Sequence, residues 1–298
     1  MYNYLFIIFT IIIISFYMFY KYETFINYPK ENDKLKYLRN YTLPRTIYTY
    51  FNKMNPIIEA NINNWKRKLP GWKIVVITDE NLKNYISQDF INKYKDNLIP
   101  AHFSDFLRFY LIYNNGGLWI DGGVFIINGI FIEYIYKEMI NNKYEVFMFE
   151  YKIKTMNKRT PHLETWLIMA PKYSRLLGDI YKEFDQAFDM GFLNYKERVL
   201  VPGNINLNNT IEYKKKIYLI VYAIINYLML RNKYNILSYD ASYSMYFLQN
   251  KFYWDHKKII DFIINTEQWK HIYGVKLTSK NRKAIKDIRK YVDKINSL

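Results

Sequence analysis

Three charged side chains near the middle of the 298-residue chain have the types and spacing that suit a charged ligand. Asp105 and Arg108 stand about one helical turn apart. Asp121 follows a short apolar segment and directly precedes Gly122 and Gly123, which have no side chain to block a ligand. A carboxylate accepts hydrogen bonds or holds a cation, whereas a guanidinium binds an anion through a rigid fork of donors. We therefore predict a ligand site at Asp121.

A simpler explanation of the Asp105 and Arg108 spacing competes with this one. Both residues fall on the helix face opposite the apolar positions. There an i, i+3 ion pair in water contributes only about 0.2–0.5 kcal/mol to helix stability. The spacing by itself leaves both explanations open.

The elements around these residues are expected to place Asp121 at the edge of a sheet. An apolar face predicts a helix over about 102–114, and Asn114–Gly117 should end it because Asn and Gly tolerate positive φ. Residues 118–120 then form a buried strand with Asp121 at its carboxyl end, where open α/β sheets bind their ligands. The apolar face of the helix comprises Phe103, Phe106, Leu107, Tyr110 and Leu111.

Strands and helices alternate upstream, which is the pattern of an α/β fold with a parallel sheet and crossover helices. The ends of strands over 44–51, 72–78 and 118–120 should then lie side by side, where a nucleotide would bind. Asp79 is predicted to cap a helix over about 80–87. The other predicted elements are helix 55–68, strand 144–151, a strand or core segment over 163–170, and helices 171–189, 255–265 and 281–297.

Two segments are apolar enough to be compared with a membrane span. Residues 1–20 carry no charged side chain and have tyrosines at both ends, which indicates a transmembrane anchor rather than a cleaved signal peptide. Residues 21–42 are then a stem and residues 43–298 the main domain. Lysines follow the anchor and none precedes it, which favours a cytosolic domain, with a lumenal arrangement left open. Residues 217–230 are too short for a span, so we expect a buried core helix there.

The formal net charge of +16 would suit nucleic acid, an anionic membrane or a polyanionic ligand. The basic residues are spread along the chain without a nucleic-acid-binding motif, so we expect no nucleic-acid partner. The absence of cysteine excludes disulfides and thiolate metal sites. Half of the residues are hydrophobic, which is enough for a large core.

The segment from Ser104 to Asp121 fits the pattern S-D-x-x-R-x-x-L-x-x-x-x-G-G-x-W-x-D. This pattern resembles sugar transferases with a D-x-D motif, among them glycosyltransferases of family 32 and glucosylating bacterial toxins. The resemblance is closer still to the capsular polysaccharide synthesis family. Weaker matches at Leu43–Tyr48, Glu164–Trp166 and Lys276–Thr278 extend it over roughly residues 43–280.

The resemblance implies a GT-A-like fold, that is, a Rossmann-type sheet flanked by helices. It also implies a glycosyltransferase that moves a sugar from a nucleotide-sugar donor to a glycan or polysaccharide acceptor, with retention at the anomeric carbon. Asp121, Asp105 and Arg108 would be its catalytic and donor-contacting residues. Gly122 and Gly123 would line the donor site beside Asp121.

A divalent cation, Mn²⁺ or Mg²⁺, bound by Asp121 is implied as the group that stabilises the departing diphosphate. The second Asp of the D-x-D motif of these sugar transferases is absent, because Gly123 stands in its place, and the resembling capsular polysaccharide synthesis family often has a small or hydroxyl-bearing residue there too. The four histidines lack metal-ligand spacing. The weaker matches would place Lys276 and Lys280 near the diphosphate and Glu164 on the acceptor side.

The missing second Asp keeps a different class of protein open. A membrane-tethered protein of the same fold could bind a glycan or a nucleotide without turning it over. Release of a nucleoside diphosphate from a panel of nucleotide sugars would distinguish the enzyme from this binding protein.

Overall fold

The computed structural model describes residues 41–203, 205, 219–267 and 272–298. The predicted anchor over 1–20 and nearly all of the predicted stem lie outside these residues, so both remain predictions. Within the described ranges, no helix has the length and apolar character needed to cross a bilayer.

A six-stranded mixed sheet forms the centre of the fold. Its strands and those of a separate antiparallel pair are β1 Thr46–Tyr50, β2 Lys73–Ile77, β3 Gly117–Ile120, β4 Val124–Ile126, β5 Val146–Glu150, β6 Leu163–Ala170, β7 Ile236–Asp240 and β8 Gly274–Lys276. The large sheet has the order β2-β1-β3-β6-β5-β7, and β4 pairs with β8.

The predicted parallel arrangement holds for the first half of the sheet. β1 pairs in parallel with both β2 and β3, which brings their carboxyl ends to one edge, as predicted. β6 instead runs antiparallel to β3 and β5. The reason is that a loop without a crossover helix joins β5 to β6, and such a connection suits antiparallel strands. The amino end of β6 therefore lies at the same edge as the carboxyl end of β3.

Helices cover both faces of the sheet. They are α1 Pro56–Lys68, α2 Gln88–Tyr94, α3 Pro100–Asn115, α4 Ile130–Asn142, α5 Arg175–Met190, α6 Phe192–Tyr195, α7 Ile220–Arg231, α8 Phe247–Lys251, α9 His256–Asn265, α10 Ser279–Lys283 and α11 Ile288–Ser297. The core on one face is shared with α2, α3, α5 and α7, and the core on the other with α1 and α4. A third core joins α9 and α11 to β4 and β8. The α7 segment is buried, which confirms the core helix predicted over 217–230 for the part that the structure describes.

The predicted helix over 80–87, with Asp79 as its cap, is wrong. The segment contains only a short 3-10 turn, Leu82–Asn84. The helix begins later, where the Ser87 hydroxyl accepts a hydrogen bond from the Phe90 backbone N–H at 3.2 Å and starts α2. The Asp79 side chain is free to make a tertiary contact instead.

The single helix predicted over 281–297 is also wrong, because two helices occupy this segment. Thr278 and Asn281 form a capping box at the start of α10. Asp287 accepts a hydrogen bond from the Lys290 backbone N–H at 2.9 Å and begins α11 as a separate helix. Ala284 and Ile285, which lie between the two helices, and the apolar residues of α11 still pack into the third core.

The turn between α3 and β3 needs its two glycines. Gly116 and Gly117 have φ values of +68° and +112°, in the left-handed region. A Cβ on Gly117 would lie 2.5 Å from the Thr46 carbonyl oxygen, so only glycine lets β3 approach β1 this closely. The predicted stop at Asn114–Gly117 is thereby confirmed.

Candidate active site

Asp121 lies at the carboxyl end of β3 and its side chain is held by three donors. Oδ1 accepts from Arg108 Nη2 at 3.1 Å and from Trp119 Nε1 at 2.9 Å. Oδ2 accepts from Lys276 Nζ at 2.6 Å. The backbone N–H of Asp121 donates to the Trp166 carbonyl oxygen of β6 at 2.8 Å. The side chain keeps 24% of its surface exposed, which leaves one side open to a ligand.

Arg108 and Asp105 are buried, so the surface-ion-pair explanation is wrong. Arg108 is 6% exposed and Asp105 is 7% exposed. Arg108 Nη1 contacts Asp105 Oδ1 at 2.9 Å and donates to the Thr165 hydroxyl at 2.6 Å. Arg108 Nη2 donates to Ser104 Oγ at 3.3 Å as well as to Asp121. A guanidinium held at both ends orients Asp121 firmly. We call Asp105, Arg108, Asp121 and Lys276 the ion network.

Burial and charge act in opposite directions within the ion network. Burial alone raises the pKa of Asp121, but the positive charges of Lys276 and Arg108 outweigh it and lower the pKa to about 2. For Asp105, burial outweighs the attraction of Arg108 and raises the pKa to about 6. Burial lowers the pKa of Lys276, against the attraction of Asp121. Asp121 is therefore ionised at neutral pH, whereas the pKa of Asp105 lies close to neutral pH.

The Gly122–Gly123 turn is enclosed on both sides. The Gly123 carbonyl oxygen accepts from the Leu277 backbone N–H at 2.7 Å. A Cβ on Gly123 would lie 2.5 Å from both Arg282 Nη1 and the Leu277 carbonyl oxygen. Asn61 on α1 donates to the Gly122 carbonyl oxygen at 2.8 Å. An aspartate in place of Gly123 therefore does not fit without a local rearrangement.

The divalent cation implied by the resemblance finds few ligands at this position. Both oxygens of Asp121 already accept from protein donors, and Gly123 offers no side chain. Nowhere in the described part of the chain do three or more His, Cys, Asp or Glu side chains cluster so as to hold a metal ion. The residues around Asp121 do not fit a resident divalent cation. The assignment of Asp121 as a metal ligand stays a prediction.

A second polar cluster surrounds Glu164 on β6. Glu164 Oε2 accepts from the hydroxyls of Tyr222 at 3.1 Å and Tyr246 at 3.2 Å. His162 Nε2 lies 3.5 Å from Glu164 Oε1 and its ring stacks on Tyr222 at a centroid distance of 4.6 Å. Burial, together with the charge of Glu164, raises the pKa of both tyrosines well above the usual range, so both remain neutral donors. We call His162, Glu164, Tyr222 and Tyr246 the phenolic cluster.

A third polar group lies where β1 and β2 end. Asp79 Oδ1 accepts from the Tyr50 hydroxyl at 2.6 Å and pairs with Lys95 Nζ at 2.8 Å. The Asp79 side chain is 41% exposed. It lies at the same sheet edge as Asp121, since β1 is parallel to both β2 and β3.

The structure brings most of the predicted site residues together. Asp105, Arg108 and Asp121 are in direct contact, with Gly122 and Gly123 beside them. Lys276, which only a loose motif match had indicated, is also part of the network. Three residues that adjoin the site had no predicted role, because long-range folding brings them there: Thr165, Tyr222 and Arg282.

The family to which the chain belongs is now clear. Residues 50–295 match the family model described as "Capsular polysaccharide synthesis protein". This match covers most of the chain, so the chain belongs to the capsular polysaccharide synthesis family. The family assignment made from the Ser104–Asp121 pattern is confirmed, and the expectation of a glycosyltransferase agrees with it.

Individual relatives are distant. The chain is 27% identical over 92 residues to the O-glycosyltransferase braB of Annulohypoxylon truncatum, and the match spans 27% of the chain and 22% of that protein. Among solved structures, it is similar to the galactosyltransferase LgtC in complex with donor and acceptor sugar analogues, with 8% identity and a TM-score of 0.44 over 85% of this chain and 96% of that one.

A second similar structure is a glycosyltransferase involved in glycosylation of the major capsid of PBCV-1. It has 10% identity and a TM-score of 0.40, over 85% of this chain and 98% of that one.

Proposed function

We propose that the chain is a membrane-anchored glycosyltransferase that moves a sugar from a nucleotide-sugar donor to a glycan or polysaccharide acceptor. The observation that carries this proposal is the partly exposed Asp121 carboxylate, held by Arg108, Trp119 and Lys276 at the ligand-binding edge of the sheet. The family match supports the same class of reaction. A GT-A-like fold and retention at the anomeric carbon are part of the proposal.

The reaction builds up negative charge on the leaving group. The bond between the anomeric carbon and the diphosphate oxygen breaks, and its electron pair stays with the diphosphate. The acceptor hydroxyl oxygen forms the new bond to the anomeric carbon and loses its proton to the released diphosphate or to solvent. Cationic side chains beside Asp121 stabilise the diphosphate through charge-assisted hydrogen bonds.

Asp121 and Arg108 have different tasks in this proposal. The exposed side of the Asp121 carboxylate accepts hydrogen bonds from the hydroxyl groups of the donor sugar. The carboxyl group must be ionised for this, and its pKa of about 2 keeps it ionised at neutral pH. Arg108 is almost fully buried, so it acts mainly as a positioning residue for Asp121. Asp105 completes the pairing of Arg108 and thereby fixes its orientation.

We place the acceptor near the phenolic cluster. Thr165 contacts Arg108, and the neighbouring residue Glu164 contacts Tyr222 and Tyr246. The acceptor side therefore adjoins the donor side through one strand, β6. A carboxylate surrounded by neutral hydroxyl groups suits recognition of sugar hydroxyls better than recognition of phosphate.

The membrane part of the proposal comes from the sequence alone. Residues 1–20 would anchor the chain, and the lysines that follow favour a cytosolic domain. A fusion of residues 1–42 to a reporter, fractionated and treated with protease on intact membranes, tests both points. A soluble fusion would contradict the anchor, and a protected reporter would contradict the cytosolic side.

A binding protein without turnover is the second candidate, favoured by Gly123 at the position of the second Asp. The test is release of nucleoside diphosphate by the full-length chain in detergent, with a panel of nucleotide sugars and candidate glycans, with and without Mn²⁺. We expect release from at least one donor, lost in Asp121→Asn and kept in Asp293→Asn, an exposed control on α11. Nucleotide binding without release from any donor would favour the binding protein.

A further inference from the structure

We propose that Lys276 takes the place of the divalent cation, so that the chain binds the donor diphosphate without a metal ion. This inference deepens the proposed function and rests on it. It rests on the position of one ammonium group, on the space around Gly123, and on the donors that already occupy Asp121.

The Lys276 ammonium lies where a cation bound to Asp121 would have to lie. Its Nζ is 2.6 Å from Asp121 Oδ2, and the other carboxylate oxygen accepts from Arg108 and Trp119. A divalent ion at Oδ2 would have to displace the ammonium and then remain close to it, against strong like-charge repulsion. The lysine supplies the same sign of charge without needing further ligands.

The main chain of Lys276 is fixed, so this placement is not incidental. Lys276 lies opposite Val124 in the β4–β8 pair. Its N–H donates to the Met245 carbonyl oxygen at 3.1 Å, and its carbonyl oxygen accepts from the Gln249 side chain. Lys276 is only 9% exposed. The backbone hydrogen bonds and the burial of Lys276 restrict its side chain, and the ammonium contacts Asp121.

A second cation fills the space that the missing aspartate would need. Arg282 Nη1 donates to the Leu277 carbonyl oxygen at 3.0 Å, and these two atoms would each lie 2.5 Å from a Cβ on Gly123, where the main-chain oxygen cannot give way as the guanidinium can. The positive charge of Arg282 also acts on Lys276, since it helps to lower the pKa of that lysine. Arg282 is half-buried beside Phe51, which follows β1. Two cations therefore stand by the glycine turn, where a D-x-D motif would place a carboxylate.

Three cationic side chains and two carboxylates then make up the site. The cations are Arg108, Lys276 and Arg282, and the carboxylates are Asp105 and Asp121. A diphosphate bound beside Asp121 would come within reach of the Lys276 ammonium, which lies 2.6 Å from Asp121 Oδ2. The excess of positive charge favours an anion, and it disfavours a free divalent cation. The absence of the second Asp at Gly123 thus goes together with the positive charge of Lys276, and it does not indicate an inactive site.

The test is binding of UDP, GDP and inorganic pyrophosphate to the full-length chain in detergent, measured by calorimetry with EDTA and with Mn²⁺. We expect at least one of these probes to bind with the same affinity in both conditions. Lys276→Gln should weaken that binding about tenfold to a hundredfold, the effect of one charge-assisted hydrogen bond. Lys276→Arg should keep most of it. Lys286→Gln, an exposed control, should change nothing.

A variant designed to bind a metal ion tests the proposal independently, in case Lys276→Gln fails to fold. Lys276→His places a metal-binding imidazole beside Asp121. We expect this variant to bind Mn²⁺, seen as loss of the free-ion signal in electron paramagnetic resonance, whereas the natural chain leaves that signal unchanged.

Three outcomes overturn the inference. They are Mn²⁺-dependent probe binding by the natural chain, depletion of free Mn²⁺ by the natural chain, and a Lys276→Gln variant that binds as the natural chain does. The proposed function survives each of these outcomes, because a metal-dependent transferase would still release nucleotide. If none of the probes binds in either condition and no donor is turned over, both proposals fail.

Discussion

The ion network and the phenolic cluster lie side by side at one sheet edge, yet they are built from different chemistry. In the first, Asp121 is surrounded by positive charges that hold its pKa at about 2. In the second, Glu164 is surrounded by two neutral phenols and an imidazole. Positive charge suits a diphosphate, and neutral hydroxyl groups suit the hydroxyls of a sugar. In our proposal, the ion network therefore takes the donor and the phenolic cluster the acceptor.

Among the changes that test this difference between the two clusters, replacing Asp121 should have the largest effect on activity. Asp121→Asn removes the negative charge that holds Lys276 and Arg108 in place, so we expect turnover of the donor to fall by about 100-fold or more. The measurement is the rate of nucleoside diphosphate release at saturating donor. A rate within about twofold of the natural chain would remove Asp121 from the mechanism.

Changing Arg108 tests whether the ion network needs a forked cation. Lysine cannot contact Asp105, Thr165 and Asp121 at once, so Arg108→Lys should lower the free energy of unfolding by about 2–4 kcal/mol. Thermal unfolding of the detergent-solubilised chain measures the loss, and Arg289→Lys on the exposed side of α11 serves as control. Unchanged stability of Arg108→Lys would mean that the buried fork is not required.

Changing Glu164 should separate the two clusters. Glu164→Gln keeps the shape but loses the charge beside Tyr222 and Tyr246, so we expect the KM for the acceptor to rise about tenfold. Affinity for nucleoside diphosphate should stay the same, since the ion network is intact. Glu197→Gln, which is exposed, is the matched control. A change in nucleotide affinity alone would reverse our assignment of the two sides.

The smallest effect should come from the titration of Asp105. Its pKa is raised from the ordinary 3.8 to about 6 in the fold, so the folded state binds the proton more tightly than the unfolded state. Its contribution to stability is present below about pH 4 and is lost as the pH rises through about 6. Asp121, whose pKa is lowered, behaves in the opposite way and loses its contribution only as the pH falls below 3.8 towards 2.

We therefore expect the stability of the natural chain relative to Asp105→Asn to decrease by about 2–3 kcal/mol between pH 4 and pH 7. Thermal unfolding of both proteins across this range measures the difference. A difference that stays constant with pH would show that Asp105 has an ordinary pKa.

Local patterns predicted the half of the site that is close in sequence. The apolar face of α3, the glycine stop and the short strand β3 together place Asp121 correctly, because helix periodicity and positive φ are local properties. The parallel pairing of β1 with β2 and β3 followed from the alternation of strands and helices. These features require no knowledge of distant residues.

The other half of the site depends on contacts that local patterns do not contain. Lys276 is separated from Asp121 by 155 positions, and the long-range β4–β8 pairing brings them together. Tyr222 belongs to an apolar helix that the sequence marked only as core. Arg108 looked solvent-facing because its own helix is amphipathic, whereas β6 covers that face. The burial of a helix face is decided by what packs on it.

The most direct test of the account is a crystal structure of the chain with the nucleoside diphosphate that the donor panel selects. We predict diphosphate oxygens within hydrogen-bonding distance of Lys276 Nζ, with the phosphate chain ending beside the exposed side of Asp121. A diphosphate bound away from both residues, for example among the tyrosines around Glu164, would contradict the central claim.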